Sequence, residues 1–243
     1  MVNASRRAPA RKKRRARTGV GEVIIYALMV LICLTTVLPF MQVLTISLSS
    51  SSSIHAYGFH VIPRELYLEG YKRLLNYPLI WSGFGNTLLR LVLGTGLSVF
   101  TTVLAAYPLS KRGLPHRNFW TALIVFTMYF NGGLIPSYLV VKGLGLRNTV
   151  FALVLPGMIK AYNLIITRNF FMSVSPSLEE SARIDGANDV VILFKIILPV
   201  SAAIIATITL WYGVSQWNAW FDCMLYMDNE RQYVLQLVVR RIL

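Results

Sequence analysis

The chain has 243 residues, of which 55% are hydrophobic and only 14% are charged. A soluble domain carries about a quarter charged residues, so this composition excludes an ordinary water-soluble protein. The formal net charge of +14 would suggest nucleic-acid binding in a soluble protein, but eight of the 24 basic residues fall within the first 17. Basic residues beside a first span set membrane topology, and no aromatic–basic interleaving accompanies them. The composition therefore predicts an all-α polytopic membrane protein with membrane lipid and no nucleic acid as partner.

The chain divides into a basic cytoplasmic tail, residues 1–21, and a transmembrane domain, residues 22–243. The first predicted span covers 23–44, because about 20 apolar residues cross the bilayer core. This run is too long for the apolar part of a signal peptide. Pro39 near its outer end predicts a kink. The two cysteines are too few for a disulfide framework.

The second predicted span, 86–107, follows a polar connection that contains His55 and His60. Two histidines without a third ligand nearby do not predict a metal site. Arg90 lies in the first turns of the span, where we expect it to snorkel to the interface. An inward-facing Arg90 would instead mark a transport pathway.

The third predicted span, 119–141, is interrupted by Asn131-Gly132-Gly133, and the fourth covers 149–167. Such an interruption is tolerated where protein or water satisfies the freed backbone groups. A lysine in lipid is costly, so Lys160 is expected to face the bundle interior or a cavity. The candidate pathway-lining residues are Lys160, Tyr162, Asn163, Tyr129 and Arg90. Hydrogen bonding between helices is the alternative role for the polar ones.

The fifth predicted span is 190–213, with Pro199 expected to bend its inner end. The connection before it is unusually polar. Ser177 is a predicted cap for a first short helix, with Glu180 completing a capping box. Gly186 is placed to end that helix, and Asn188 is a predicted cap for the next one. With this topology 14 of the 24 basic residues lie on the inner side, which places the polar connection in the cytoplasm.

The spacing Glu180-Ser181-Ala182, Gly186, Ile196 and Leu198-Pro199 resembles the EAA loop of ATP-binding cassette (ABC) importer permeases, here residues 172–199. Further stretches, such as NGGLIPSYLVVKGLGLRNT, resemble the carbohydrate-importer branch that contains the maltose permease subunit MalG. Within that branch the chain is similar to the LplC/YtcP-like oligosaccharide permeases. The resemblance implies a type I-like transmembrane domain whose EAA loop couples it to an ATPase. The coupling residues that it implies are Glu179, Glu180, Ser181, Ala182, Asp185, Gly186, Ala187, Ile196, Leu198 and Pro199.

The same resemblance implies a sugar or oligosaccharide substrate, a cytoplasmic pair of ABC ATPases, a second permease subunit in a heterodimer, and an extracytoplasmic solute-binding protein. The chain carries no phosphate-binding lysine loop, so it is expected to bind no cofactor and to leave ATP and Mg²⁺ to the ATPase. It is not expected to be an enzyme, since no nucleophile–base pair appears.

The resemblance also implies a plasma-membrane location with a cytoplasmic N-terminus. The family pattern has six spans, so a sixth is expected beyond the five seen here. A non-transporting scaffold or regulatory subunit, or a secondary transporter, is the alternative function.

Overall fold

A computed structural model describes residues 19–50, 62–63 and 65–242, and within these the chain forms helices and connections without β-strands. It divides into two compact units, Met1–Leu74 and Leu75–Leu243. Most of the predicted basic tail, and both His55 and His60, lie outside the described residues.

The first unit contains one long apolar helix, α1 (Val20–Ser47). Its 28 residues extend about 42 Å at 1.5 Å per residue, which exceeds the thickness of the bilayer core. Its apolar side chains are exposed on all sides, as in a helix that faces lipid. The helix continues through Pro39. A short helix, α2 (Glu69–Leu75), precedes the long helix of the second unit.

The second unit is built on α3, which begins at Pro78 rather than at the predicted residue 86. Pro78 occupies the first helical position, where its missing N–H costs nothing. The helices that follow are α3 (Pro78–Ser110), α4 (Arg117–Tyr129), α5 (Leu134–Gly143), α6 (Val150–Gly157), α7 (Ala161–Ser173), α8 (Pro176–Ile184), α9 (Asp189–Val200), α10 (Ala202–Asn218), α11 (Phe221–Tyr226) and α12 (Leu235–Ile242).

Among the described helices, α1 and α3 are each long and apolar enough to cross a membrane. Three further pairs qualify if each bent pair is one span: α4–α5 bent by 112°, α6–α7 by 55° and α9–α10 by 85°. The break between α4 and α5 falls at the predicted Asn131-Gly132-Gly133. Gly133 has φ +87° there, a conformation that side-chain-bearing residues rarely adopt.

The predicted fifth span is not a straight helix, because α9 and α10 meet at Ser201 with the 85° bend. Residues Leu193–Ile197 form a π turn just before Pro199. Pro199 has no N–H for the carbonyl of Lys195 and crowds it, and both a proline and a π turn disrupt a helix. The sequence thus predicts the bend, while the sharp change of direction falls two residues after the proline.

Two apolar clusters lie at opposite ends of α3. Ile80, near its first turn, belongs to a cluster with α5, α6, α11 and α12. Val103, Ala106 and Tyr107, near its last turns, belong to a second cluster with α7, α8, α9 and α10. Gly94, between the two, meets the side chain of Gln216, which would lie 2.7 Å from an added Cβ. Helix α3 is therefore the element that joins both halves of the unit.

Arg90 occupies this middle part of α3 and is only 2% exposed. Its Nε donates to Oε1 of Gln216 at 2.9 Å, and its Nη1 donates to Oδ1 of Asp222 at 2.9 Å. Its Nη2 completes a two-pronged ion pair with the other carboxylate oxygen of Asp222. The expectation that Arg90 snorkels is wrong, because the buried Gln216 and the partly buried Asp222 hold it inside. It clamps α10 and the start of α11 onto α3.

We predict that Arg90→Met lowers the free energy of unfolding by about 3–5 kcal/mol, because the Asp222 carboxylate keeps its partly buried position and loses its partner. Thermal unfolding of the purified chain in detergent measures this. The matched control is Arg147→Met, since Arg147 pairs with the largely exposed Asp228 and such a pair contributes about 0–1 kcal/mol. Equal losses from the two variants would contradict the clamp.

Candidate functional site

Helix α8 begins two residues earlier than the sequence predicts. Its N-cap is Ser175, Pro176 is the first helical residue, and Ser177 already lies inside the helix. The predicted capping box of Ser177 and Glu180 is therefore wrong, because the proline fixes the start of the helix ahead of Ser177. The Ser177 hydroxyl instead lies 2.8 Å from that of Ser175.

The joint between α8 and α9 is the one that the sequence predicts. Gly186 has φ +81°, its N–H donates to Arg183 at 3.0 Å, and the next N–H, of Ala187, donates to Ala182 at 2.9 Å. These two bonds form a Schellman motif, which requires a left-handed residue such as glycine. The side chain of Asn188 then accepts from the N–H of Val191 at 2.9 Å, which confirms the predicted cap of α9.

One face of α8 is buried and the opposite face is open. Ala182 is 9% exposed and packs into the apolar cluster around Tyr107, whereas Ile184 is 86% exposed. Two residues along a helix differ by about 200° in direction, so Ala182 and Ile184 cannot share a face. Leu178, Ala182 and Ile184 therefore do not form a single apolar face. The open face consists of Glu180, Ser181, Ile184 and Asp185.

An ion pair fixes α8 to the end of α3. Nζ of Lys111 binds the carboxylate of Glu179, with both side chains about three-quarters buried. The same ammonium lies 3.9 Å from the centre of the Tyr107 ring, a cation–π contact. Glu179 thus has a partner within its own chain, whereas the exposed Glu180 has no ion pair with any residue that the structure describes. A sequence reading could not pair Glu179 with Lys111, since 68 residues separate them.

A groove of about 740 Å³ lies between α8, the start of α9 and the segment after α3. Its floor is apolar, with Leu104, Leu193 and Phe194. Its rim is charged, with Glu180 and Arg183. Arg183 also reaches Oδ1 of Asp189 at 2.5 Å across the Gly186 joint, an exposed pair that the sequence analysis did not predict.

The remaining predicted coupling residues lie along α9, except Ala187, which lies just before it. Ala187, Ile196 and Leu198 pack against the apolar cluster that holds Ala182, while Pro199 is exposed. Helix α9 runs at 85° to α10, so it lies across the axis of α10. The packed residues attach α9 to the apolar cluster in this orientation. Packed side chains therefore connect α8 and α9 with α3 and α10.

The predicted pathway-lining residues do not form one group. Lys160 and Tyr162 are exposed and lie beside α10, where Nζ of Lys160 donates to the Ser215 hydroxyl at 2.7 Å. The Tyr162 ring lies 5.9 Å from that of Trp211. We call Lys160, Tyr162, Trp211 and Ser215 the polar–aromatic patch.

The other three lie elsewhere. Tyr129 is 82% exposed at the end of α4, and Asn163 is buried, with Nδ2 unpartnered among the described residues. Arg90 is enclosed by its clamp, so in this structure it has a packing role. Sequence reasoning missed its partner Asp222, although a buried arginine requires an acceptor and could have prompted a search for one.

A comparison with protein families matches residues 97–220 to "Binding-protein-dependent transport system inner membrane component". The matched range runs from the middle of α3 to just past α10, so it contains α8, α9 and the groove. It also contains the whole Glu180–Pro199 spacing.

Similar proteins agree with this match. The chain is 41% identical over 221 residues to the polygalacturonan/rhamnogalacturonan transport system permease protein YtcP of Bacillus subtilis (strain 168), covering 91% of this chain and 77% of the relative. It is 39% identical over 207 residues to protein LplC of the same organism, covering 85% and 70%. A solved bacterial ABC transporter involved in the import of the acidic polysaccharide alginate superposes with a TM-score of 0.88 at 32% identity, covering 96% of this chain and 82% of that chain. These findings confirm the resemblance noted in the sequence.

Proposed function

Since the chain belongs to the family of binding-protein-dependent transport system inner membrane components, it is a permease subunit of an ABC importer, and we propose that α8 is the surface through which a separate ATPase drives it. The observation that carries this proposal is the division of α8 into a fixed face and an open face. Ala182 and Glu179 attach the helix to the membrane domain, while Glu180, Ser181, Ile184 and Asp185 remain exposed. A partner can therefore engage one face while the other transmits the motion.

The chemistry of the open face fits a cleft on a partner protein. Ile184 is a large aliphatic side chain with 86% of its surface exposed, next to the carboxylates of Glu180 and Asp185. Burial of such a side chain contributes about 1.5–3 kcal/mol, and the carboxylates suit basic groups at the cleft edge. We propose that closure of an ATPase pair moves α8, α9 and the inner end of α3 as one body. In this scheme ATP and Mg²⁺ belong to the ATPase.

We further propose that the substrate is an acidic oligosaccharide. Lys160 is exposed at the start of α7, and the first N–H groups of α7 have no side-chain cap. The positive charge of the lysine and the partial positive charge of the helix N-terminus therefore lie together at the break between α6 and α7. Half-helix N-termini at such breaks favour anionic solutes. Tyr162 and Trp211 offer rings on which sugars stack. The relatives whose names mention polygalacturonan and alginate transport anionic polymers, which supports this substrate class.

The full assembly that we propose has a second permease subunit in a heterodimer, an extracytoplasmic solute-binding protein, and a cytoplasmic N-terminus in the plasma membrane. The patch of Lys160, Tyr162, Trp211 and Ser215 would face the pathway between the two permeases. Tyr129, exposed at the break between α4 and α5, is a second candidate for that surface.

We predict that Glu180→Lys and Ile184→Glu each lower retention of the ATPase at least about tenfold. Glu180→Lys places a cation opposite the basic groups proposed for the cleft edge, and Ile184→Glu puts a charge where the cleft buries an apolar side chain. The measurement is the amount of ATPase that co-purifies with the tagged permease complex, followed by ATP-driven uptake in proteoliposomes. Glu65→Lys is the control, since Glu65 is equally exposed but lies in the first unit. Wild-type retention in both α8 variants would refute the assignment of the surface. If the wild-type complex retained the ATPase but took up no solute, the chain would be a non-transporting scaffold subunit.

For the substrate, we predict that Lys160→Gln lowers uptake of labelled oligogalacturonides roughly tenfold while ATPase retention is unchanged, because one charge-assisted hydrogen bond contributes about 1.5–3 kcal/mol. Uptake is measured in proteoliposomes that contain the permease pair, the ATPase and the binding protein. Lys142→Gln, which removes an exposed cation from the end of α5, serves as control. Equal uptake of neutral and acidic oligosaccharides by the wild type would contradict the acidic substrate.

A further inference from the structure

We propose that a basic pocket at the start of α4 binds the phosphate group of an anionic phospholipid. This pocket, which we call the headgroup pocket, has a volume of about 450 Å³ and is lined by Arg112, Leu114, His116, Arg117 and Asn118. It is independent of the ATPase and substrate surfaces proposed above, although Arg112 also reaches the groove beside α8.

The first argument is the lack of a counter-charge. Nη1 of Arg117 is buried and has no hydrogen-bond partner in the described part of the chain. Neither Arg112 nor Arg117 belongs to any ion pair among those residues. A buried cationic group without an acceptor is costly, and a bound anion would remove that cost.

A third arginine makes the local charge imbalance larger. Arg168 on α7, which packs against α4, repels the Arg117 guanidinium. Its own hydrogen bonds go to neutral acceptors, the carbonyl of Leu109 at 3.0 Å and Oδ1 of Asn169 at 3.1 Å. Arg117 and Arg168 are thus near each other, and neither has an acidic partner among the described residues.

The start of α4 adds donors to this site. His116, its N-cap, has φ +53° and makes no side-chain cap, so the first N–H groups of the 13-residue helix have no side-chain acceptor. A helix start of this kind favours an anion, and a phosphate accepts from both backbone N–H groups and a guanidinium fork. Arg117 is the first residue of α4, so its unpartnered Nη1 and the uncapped start of the helix belong to the same residue.

The position of the pocket selects a lipid over a free anion. It lies in the short connection between two apolar helices, α3 and α4, which is where a membrane surface meets the chain. Phe119 and Trp120 follow directly, are 60% and 47% exposed, and form an edge-to-face pair at 5.4 Å. Exposed aromatic rings of this kind sit at the headgroup level of a bilayer. Basic pockets between spans bind anionic headgroups.

The test is to count bound lipids. The full complex is reconstituted in nanodiscs with equal amounts of phosphatidylglycerol and phosphatidylcholine, and the lipids that it retains in mild detergent are identified by native mass spectrometry. In the Arg112→Gln/Arg117→Gln variant, the ratio of retained phosphatidylglycerol to phosphatidylcholine is expected to fall roughly tenfold, because each basic residue near an anionic surface contributes to binding. Lys142→Gln/Arg231→Gln removes two exposed charges outside the pocket and is expected to keep the preference.

Three results would overturn the proposal. The first is the same lipid composition in the pocket variant and its control. The second is displacement of the bound lipid by excess inorganic phosphate, which would indicate a site for a free anion. The third is an unchanged lipid count with a weakened ATPase, which would indicate a protein contact.

A second measurement avoids pocket variants that fold poorly. Brominated phosphatidylglycerol is expected to quench the fluorescence of the otherwise unaltered complex more than brominated phosphatidylcholine does, and the difference is expected to vanish in Trp120→Phe. Equal quenching by the two lipids would also overturn the proposal.

Discussion

The attachment of α8 to the C-terminal end of α3 is the contact on which the rest of this account depends. A short polar helix has little apolar surface, so it stays on a membrane domain only if its few inward groups are well matched. Ala182 supplies a small side chain that allows close approach, and Glu179 supplies the partner of Lys111. A partly buried ion pair that also rests on an aromatic ring is stronger than an exposed one. The open face of the same helix is therefore presented in a fixed orientation.

Helix α3 extends this attachment through the unit. Its C-terminal end packs with α8, α9 and α10, and its middle carries Arg90, whose clamp to Gln216 and Asp222 fixes α10 and α11. The 85° bend at Ser201 turns α9 across the axis of α10. In the proposed mechanism, a displacement of α8 is therefore transmitted sideways to the helix that carries Trp211 and Ser215. The docking surface and the polar–aromatic patch are thus connected by continuous packing through one set of helices.

The sequence predicted local features well and long-range pairings poorly. Gly186 and Asn188 were identified because a left-handed joint and a helix cap each depend on residues close in sequence. The interruption at Asn131-Gly132-Gly133 has the same local origin. The start of α8 was misread because Pro176 overrides the capping tendency of Ser177. The partners Lys111–Glu179 and Arg90–Asp222 join distant parts of the chain, which no local pattern encodes. The EAA spacing indicated the function because it combines a short helix, a glycine joint and a proline at fixed distances along the chain.

The most direct test of the central claim is a distance between α8 and α3 in the working complex. Spin labels at Ser177 and Phe100, both exposed, are introduced in a chain whose two cysteines are replaced, and the distance between them is measured without nucleotide and with ATP bound. The account predicts the same distance distribution in both states, because α8 moves with α3 as one body. A shift of about 5 Å or more, the rise of one helical turn, would show that α8 slides independently and would contradict it.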